Sequence, residues 1–330
     1  MRLIPFDRTD LEFSHLCLGA TNFGWSTDER TSHAILDAFR AAGGNFVQTA
    51  SPVNSMRVAL SEAHVGSWIE TREIMRSELV LATSFVVRPE AVPSGAALAR
   101  YVRRCCEESL RRLRVHYIDL LSCDFRSSML PVSALLEAFA SLVDDGLVYH
   151  VGVSDMPAWR LREAHRATGG GALPRLEVVQ DDYSLVKRSP FETGLAAACR
   201  DTGALFLARS PLAGGFLTEA TSRSKGWFSV GDRVWLGDPG SRTTRPGRRD
   251  LIARFAHDRG MTIEQTALAW VLANPAVSAA VVGATSPDHI APLVAAARYV
   301  MSPEDVAWLA APSSDDVDHR PEHELAEVVA

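Results

Sequence analysis

Two residues whose types could do chemistry close apolar runs in this chain: Asp124 follows the run at 117–122, and Arg209 follows the run at 204–208. A carboxylate near a guanidinium stays ionised. Such a pair can orient a polar substrate, abstract a proton where the carboxylate is desolvated, or serve as a plain structural ion pair. Other apolar runs end the same way. Gln48 lies at the end of the run at 45–49, Ser84 follows 78–83, Ser154 and Asp155 close 148–154, residues 180–182 close 176–180, and Ser210 follows Arg209. Residues 22–25 and 283–286 complete a set of eight polar run-ends. The set points to a polar ligand and to no one reaction. Ser84, Gln48 and Cys123 are the candidates to lie near Asp124. Cys123, one residue before Asp124 in a strand, is expected to face the other way and pack as a small apolar residue.

Elements that could gather these residues follow from periodicity. The runs at 15–19, 45–49, 78–83, 117–122, 148–154, 176–180, 204–208 and 278–283 have too little polar alternation for a half-exposed sheet. Fully buried parallel strands look this way. Amphipathic stretches separate them. Residues 28–42 put Ile35, Ala38, Phe39 and Ala42 on one face and stop at Gly43-Gly44. Ser94 is a candidate cap for the helix bearing Leu98, Tyr101, Val102, Cys105, Cys106, Ser109 and Leu113. Thr262 with Gln265 fits a capping box, and Ser302-Pro303 opens a further helix. Eight strand–helix units favour an α/β fold of the closed (β/α)8 barrel type over a doubly wound open sheet. The segment CLGATNFGW after the first run lacks the G-x-G-x-x-G fingerprint of the open-sheet alternative. The barrel is expected as one unit over residues 1–311, with a charged tail at 312–330. A long loop, 221–250, precedes the eighth strand, and its Trp227, Phe228 and Trp235 could join Trp25 as an aromatic lid or pack elsewhere. In such barrels the active site sits at the C-terminal ends of the strands, where the eight polar run-ends fall.

Composition narrows the class. Hydrophobic residues make up 47%, and a net charge of −6 with a pI near 5.9 gives no reason to expect a nucleic-acid or anionic-membrane partner. Two arginine groups (Arg111, Arg112 and Arg114; Arg245, Arg248 and Arg249) read as solvated surface. No apolar run is long enough to span a bilayer, and MRLIPFDRTD lacks a signal-peptide core. Five cysteines without a C-x-x-C pair fit a reducing cytoplasm. The ten histidines show no metal-ligand spacing, so no metal is expected.

Several segments carry a resemblance to a known family: LCLGATNFGWSTDERTSHAILDAFRAAGGNF, SLRRLRVHYIDLL, LVDDGLVYHVGVSDMPAWRL, LEVVQDDYSLVKR, SPLAGGFLTEA and ALAWVLANPAVSAAVVGATSPDHI. In this order they resemble the aldo-keto reductases, particularly bacterial members acting on small carbonyls or sugars. The resemblance implies the same barrel with a short N-terminal hairpin closing its floor. It also implies NADPH as hydride donor, a tyrosine as proton donor tuned by a lysine–aspartate pair, and a histidine that orients the substrate. The matching positions differ here. N-F-x-D-T-A reads Asn45-Phe46-Val47-Gln48-Thr49-Ala50, the tyrosine position falls at Val53 (or Asn54 if the loop slips), A-T-K reads Ala82-Thr83-Ser84, and I-D-L-x-x-x-H ends in Asp124. No tyrosine occurs before Arg100.

Signals for cofactor binding point both ways. Ser154 and Gln180 match the positions that hold the nicotinamide carboxamide, with Asp155 in place of an asparagine. Ser210, Leu212 and Gly214 keep the S-P-L-x-G loop that lies along the pyrophosphate, or simply turn the chain. Against this, Arg209 replaces the aromatic residue under the nicotinamide. Thr285, just past Gly283, replaces the basic residue that grips the 2′-phosphate. Three functions stay open. One is a redox-independent dehydratase, isomerase or cyclase acting on a small polar or anionic substrate of sugar or secondary metabolism, with Asp124, Arg209, Ser84 and Gln48 as its working residues. The others are an NADPH-dependent oxidoreductase with an unorthodox proton donor, and a non-catalytic ligand-binding or regulatory subunit. The first is the favoured reading.

Overall fold

A computed structural model describes residues 1–6, 11–50, 56–87, 95–125, 130–189, 191–218 and 246–311. Each apolar run becomes a strand. β1 (Leu3–Pro5) and β2 (Glu12–Ser14) form an antiparallel hairpin. The parallel strands are β3 (Leu16–Gly19), β4 (Phe46–Gln48), β5 (Val80–Val86), β6 (Ile118–Asp124), β7 (Val148–Ser154), β8 (Leu176–Asp182), β9 (Leu205–Arg209) and β10 (Ala279–Gly283). They pair in chain order, and β10 closes on β3 to complete the barrel. β5, β6 and β8 run beyond the apolar stretches, to Val86, Asp124 and Asp182. Ladder hydrogen bonds use only backbone groups, so polar side chains at the mouth do not stop the strands.

Because side chains alternate across a strand, each strand sends every second residue into the barrel. Phe6, Phe13, Cys17, Phe46, Val80, Ala82, Leu120, Val178, Leu207 and Ala279 form the apolar inner plug. Phe6, just after β1, stacks on the His150 ring at 4.2 Å, and Phe13 of β2 meets Phe46 edge-on. The hairpin therefore seals the floor.

The outer layer comprises α1 (Glu29–Ala41), α2 (Met56–Thr71), α3 (Ala96–Leu113), α4 (Val132–Asp144), α5 (Ala158–Ala167), α6 (Ala196–Thr202), α7 (Pro246–Asp258), α8 (Ile263–Ala273), α9 (Ile290–Arg298) and α10 (Pro303–Ala310). α1 is capped by Asp28, buries Ile35, Leu36 and Phe39, and ends before Gly43 at φ 85°. The capping box of Thr262 and Gln265 forms at α8, and Ser302 caps α10. At α3, Gly95 stands at the cap; Ser94 lies outside the described residues. α2 and α3 touch at Gly66, where a Cβ would stand 2.4 Å from the Arg112 carbonyl oxygen.

The solvated reading of the arginines needs correction. Arg112 donates from Nε to the fully buried Glu62 at 2.6 Å, and Thr83 of β5 donates to the other Glu62 oxygen at 2.8 Å. Arg248 is buried and caps the carbonyls of Leu309 and Ala311 at the end of α10. Arg249 likewise donates to the carbonyls of Phe216 and Thr218. A guanidinium's five donors make it the natural partner for orphan carbonyls and buried carboxylates, whatever the net charge. Arg111 is exposed, Arg114 pairs with Glu70 at the surface, and Arg245 lies outside the described residues.

All five cysteines are reduced and buried, and burial raises the thiol pKa of each. Cys123 packs outward among the helices, as its strand position requires. Among the described residues no helix is long and apolar enough to cross a membrane.

Candidate active site

Above the apolar plug, the same inward alternation brings a polar layer to the C-terminal mouth. It consists of Gln48 of β4, Ser84 of β5, Ser122 and Asp124 of β6, Ser154 of β7, Gln180 and Asp182 of β8, and Arg209 of β9. β4 and β8 lie on opposite sides of the eight-stranded ring. Gln48 and Gln180 join across it: the Gln48 amide nitrogen donates to Gln180 at 2.6 Å, and the Gln180 nitrogen donates back at 3.1 Å. Both side chains are buried, so this reciprocal amide pair is a neutral strut spanning the lumen.

On the β8–β9 side the charges converge. Arg209 donates from both terminal nitrogens to the two oxygens of Asp155, each at 2.7 Å, and from Nε to Asp182 at 2.7 Å. Lys187 holds the second Asp182 oxygen at 2.6 Å. Two local features build this clasp. Asp182 faces Arg209 in register across β8 and β9, and Asp155 has a left-handed φ of 57° directly after β7. Burial alone would raise the Asp182 pKa, but the hydrogen bonds and charges of Arg209 and Lys187 outweigh it and hold the carboxyl below its usual range. Burial likewise works against the charge on Arg209, and its two aspartates outweigh it, raising the pKa.

Asp181 is the contrasting carboxyl. Burial, followed by the neighbouring Asp155 charge, pushes its pKa up to about 6. Among the described residues its oxygen accepts only the Asp182 backbone N–H, at 2.7 Å. A carboxyl whose folded pKa exceeds the unfolded value of about 3.9 binds more protons when folded between those values, so its contribution to stability falls as pH rises from about 4 to 6. Asp181→Asn is therefore expected to stabilise the protein at pH 7 and to have little effect at pH 4. Urea unfolding at the two pH values checks this, and an equal effect at both would refute it.

The expected pairing of Asp124 with Arg209 is corrected: the guanidinium engages Asp182 of the neighbouring β8 and Asp155, which directly follows β7. Asp124 sits half-buried at the end of β6, in register with Ser154, with β7 and β8 between it and Arg209 of β9. An incoming anion would meet an Arg209 already held by two carboxylates. Ser84 lies beside Ser122 in register. Ser210 and Ala213 have left-handed φ values of 54° and 51°, and Gly214 and Gly215 continue the turn; Leu212 is buried in it. Gly283 ends β10, and the Thr285 N–H donates to His289 Nδ1 at 3.4 Å. Trp25 is exposed at the mouth. Val53, Asn54, Trp227, Phe228, Trp235 and the tail 312–330 lie outside the described residues.

All five tyrosines are accounted for. Tyr101 donates to the Val86 carbonyl from the helical layer. Tyr117 and Tyr149, at the opposite end of β6 and β7 from the mouth, pack on each other. Tyr183 is buried against Phe191 and Trp270, and Tyr299 is exposed after α9. None takes part in the inner polar layer.

Two cofactor types can be tested against these residues. Carboxylate oxygens of Asp155, Asp181 and Asp182 come within 4.8 Å of one another, a spacing a cation could bridge. Arg209 and Lys187 already neutralise two of the three, so the set does not call for a metal. A nicotinamide fits poorly as well. The Gln180 amide is spent on Gln48, the Asp155 carboxylate on Arg209, and a clasped guanidinium stands where a flat apolar floor is needed. Residues that sequence reasoning did not single out are Ser122 and Lys187; Asp181 and Asp182 belong to the polar run-end 180–182. Period-two counting back from Asp124 would have found Ser122.

Comparison with known proteins adds the family context. A profile described as Aldo/keto reductase family matches residues 15–312. The chain is 31% identical to a protein named "Uncharacterized oxidoreductase YrpG" of Bacillus subtilis, covering 92% of this chain and 93% of that one. It is 28% identical to norsolorinic acid reductase B of Aspergillus parasiticus, covering 90% and 80% respectively. To "Protein tas" of Escherichia coli it is 30% identical, over 86% of this chain and 89% of that one.

Proposed function

Because this chain belongs to the aldo/keto reductase family, we propose that it uses the family's barrel for a redox-independent conversion, of the dehydratase, isomerase or cyclase type, on a small polar substrate of sugar or secondary metabolism. The observation that carries this reading is the Asp155–Arg209–Asp182 clasp, set where the resemblance assigns the nicotinamide's floor. The positions assigned to the proton-donating machinery hold Gln48, Ser84 and Asp124, and the tyrosines face elsewhere. Asp124 is then the group that takes and returns a substrate proton at its carboxylate oxygen. Arg209, locked between Asp155 and Asp182, forms a fixed, charge-balanced wall, and Gln48–Gln180 forms a floor that admits no deeper group.

The test needs no cofactor. The protein is incubated in D2O with a panel of ketoses such as D-fructose and D-xylulose, and deuterium next to the carbonyl is followed by NMR. Exchange without NADPH is expected, lost by roughly 10²-fold or more in Asp124→Asn with the unfolding temperature retained. No exchange with wild-type protein, or exchange untouched by Asp124→Asn, would sink the reading.

A second reading has one specific support: relatives carry the names oxidoreductase and reductase, and NAD(P)H is the family's usual hydride source. In that reading water or the substrate itself provides the proton. Calorimetric titration with NADPH separates the two, since tight uptake followed by NADPH consumption with an aldehyde belongs only to the second.

A further inference from the structure

We propose that Glu192 is a positioning residue for the barrel mouth: it clamps Tyr183 and Arg188 together and so closes the turn that sets Lys187 on Asp182. This rests on the reading that the mouth is the working site, and it assigns the part that keeps the mouth's charges paired.

The need for a clamp follows from Lys187. Its ammonium reaches Asp182 at 2.6 Å, yet its side chain is 39% exposed. A flexible lysine in contact with water gains little from one ion pair and loses side-chain entropy in holding it. What keeps it on Asp182 therefore lies in the backbone that presents it. That backbone is a tight turn. The Ser184 N–H donates to the Lys187 carbonyl at 2.9 Å, and the Lys187 N–H donates back to the Ser184 carbonyl at 3.3 Å and to its hydroxyl at 3.0 Å. Tyr183 and Arg188 stand on either side of this turn.

Both converge on one carboxylate. The Tyr183 hydroxyl donates to Glu192 at 2.9 Å, and Arg188 Nε donates toward both Glu192 oxygens, each at 2.8 Å. Two other elements brace the clamp. Asn274, just past α8, donates to the Tyr183 hydroxyl at 3.0 Å, and Arg188 donates to the Ala310 carbonyl at the end of α10 at 2.6 Å. The Tyr183 ring packs against Phe191 and Trp270. A hydroxyl has one proton to give. Tyr183 gives it to Glu192 and accepts one from Asn274, so its oxygen is fixed from both sides. Arg188 and Glu192, four residues apart, would by themselves serve only their own helical turn. The tyrosine bond carries the clamp across the base of the loop.

The experiment is nitrogen-15 NMR of the lysine ammonium groups in the full chain at one fixed pH. The chain has two lysines, Lys187 and Lys225, so Lys225 serves as the internal reference. Thermal unfolding checks the fold of each variant. In wild type the Lys187 ammonium protons should be protected from exchange with water by the bond to Asp182. Glu192→Ala should speed their exchange about as much as Asp182→Asn does, leave Lys225 unchanged, and have little further effect once Asp182→Asn is in place. Unchanged Lys187 exchange in Glu192→Ala would overturn the assignment. So would the same acceleration with and without Asp182→Asn, or acceleration of both lysines alike. If Glu192→Ala does not fold, Tyr183→Phe decides, because it keeps the ring packing and removes only the hydroxyl. Faster Lys187 exchange that disappears in the Asp182→Asn background then supports the clamp, and unchanged exchange removes it. No substrate takes part, so the outcome is separate from deuterium exchange. Protected Lys187 freed by Glu192→Ala, without substrate exchange, leaves the clamp standing and removes the proposed chemistry.

Discussion

Replacing Arg209 with alanine is expected to destabilise the fold by about 3–5 kcal/mol, the cost of leaving buried carboxylates without their cation. The Asp182 side chain is 2% exposed and the Asp155 side chain 12%, so water cannot take over from the guanidinium. Lys187 reaches only one oxygen of Asp182 and none of its described contacts is to Asp155. Arg209→Lys should recover only part of the loss, because an ammonium cannot reproduce the two-pronged bond to Asp155 while also reaching Asp182. The defect should depend on pH with a definite sign. Asp182, held below the unfolded carboxyl range by Arg209, contributes stability that is present above that range and lost as pH falls. Wild type and variant should therefore differ most near neutrality and converge in acid. Urea unfolding at pH 7 and at about pH 2, well below the unfolded carboxyl value of about 3.9, measures this; a neutral-pH difference below about 1 kcal/mol would mean the clasp is no more than a surface pair. The same result explains why Asp124→Asn, rather than an Arg209 variant, is the clean probe of chemistry.

Arg112→Ala should have an effect of similar size, about 3–5 kcal/mol, between the barrel wall and the helical layer. It strips the cation from Glu62, which is fully buried on α2 and held besides by the Thr83 hydroxyl of β5. One carboxylate thus ties α2, α3 and β5 together. Replacing both partners with apolar residues of similar length (Arg112→Met with Glu62→Leu) should be much less harmful than Arg112→Ala, since no unpaired charge then remains. The comparison by denaturant unfolding decides the matter. If the double variant is as unstable as the single, the network holds the helices by geometry that apolar packing cannot replace.

The barrel was legible because its strands are buried on both faces and so read as unbroken apolar runs, all eight of them in the right places. The mouth was legible as a polar ring but not as a set of partners. Asp124 and Arg209 were matched by charge alone, whereas the real pairing of Arg209 depends on strand register, which sets Asp182 opposite it, and on one left-handed residue, Asp155, which turns a loop carboxylate inward. Neither register nor φ is written in local composition. Gln48 and Gln180 are 132 residues apart, and only barrel closure makes them a pair. The buried arginines were missed for a similar reason: Arg112 and Arg248 find partners 50 and 61 residues away in sequence, so charge clustering along the chain says nothing about them.

The placement of the thiols bears on how this protein ages. With Cys17, Cys105, Cys106, Cys123 and Cys199 all inside and disfavoured as thiolates, peroxide or an alkylating reagent finds no accessible cysteine thiolate on the native molecule. Covalent damage at cysteine must wait for an opening event. Its rate then scales with how often the barrel opens.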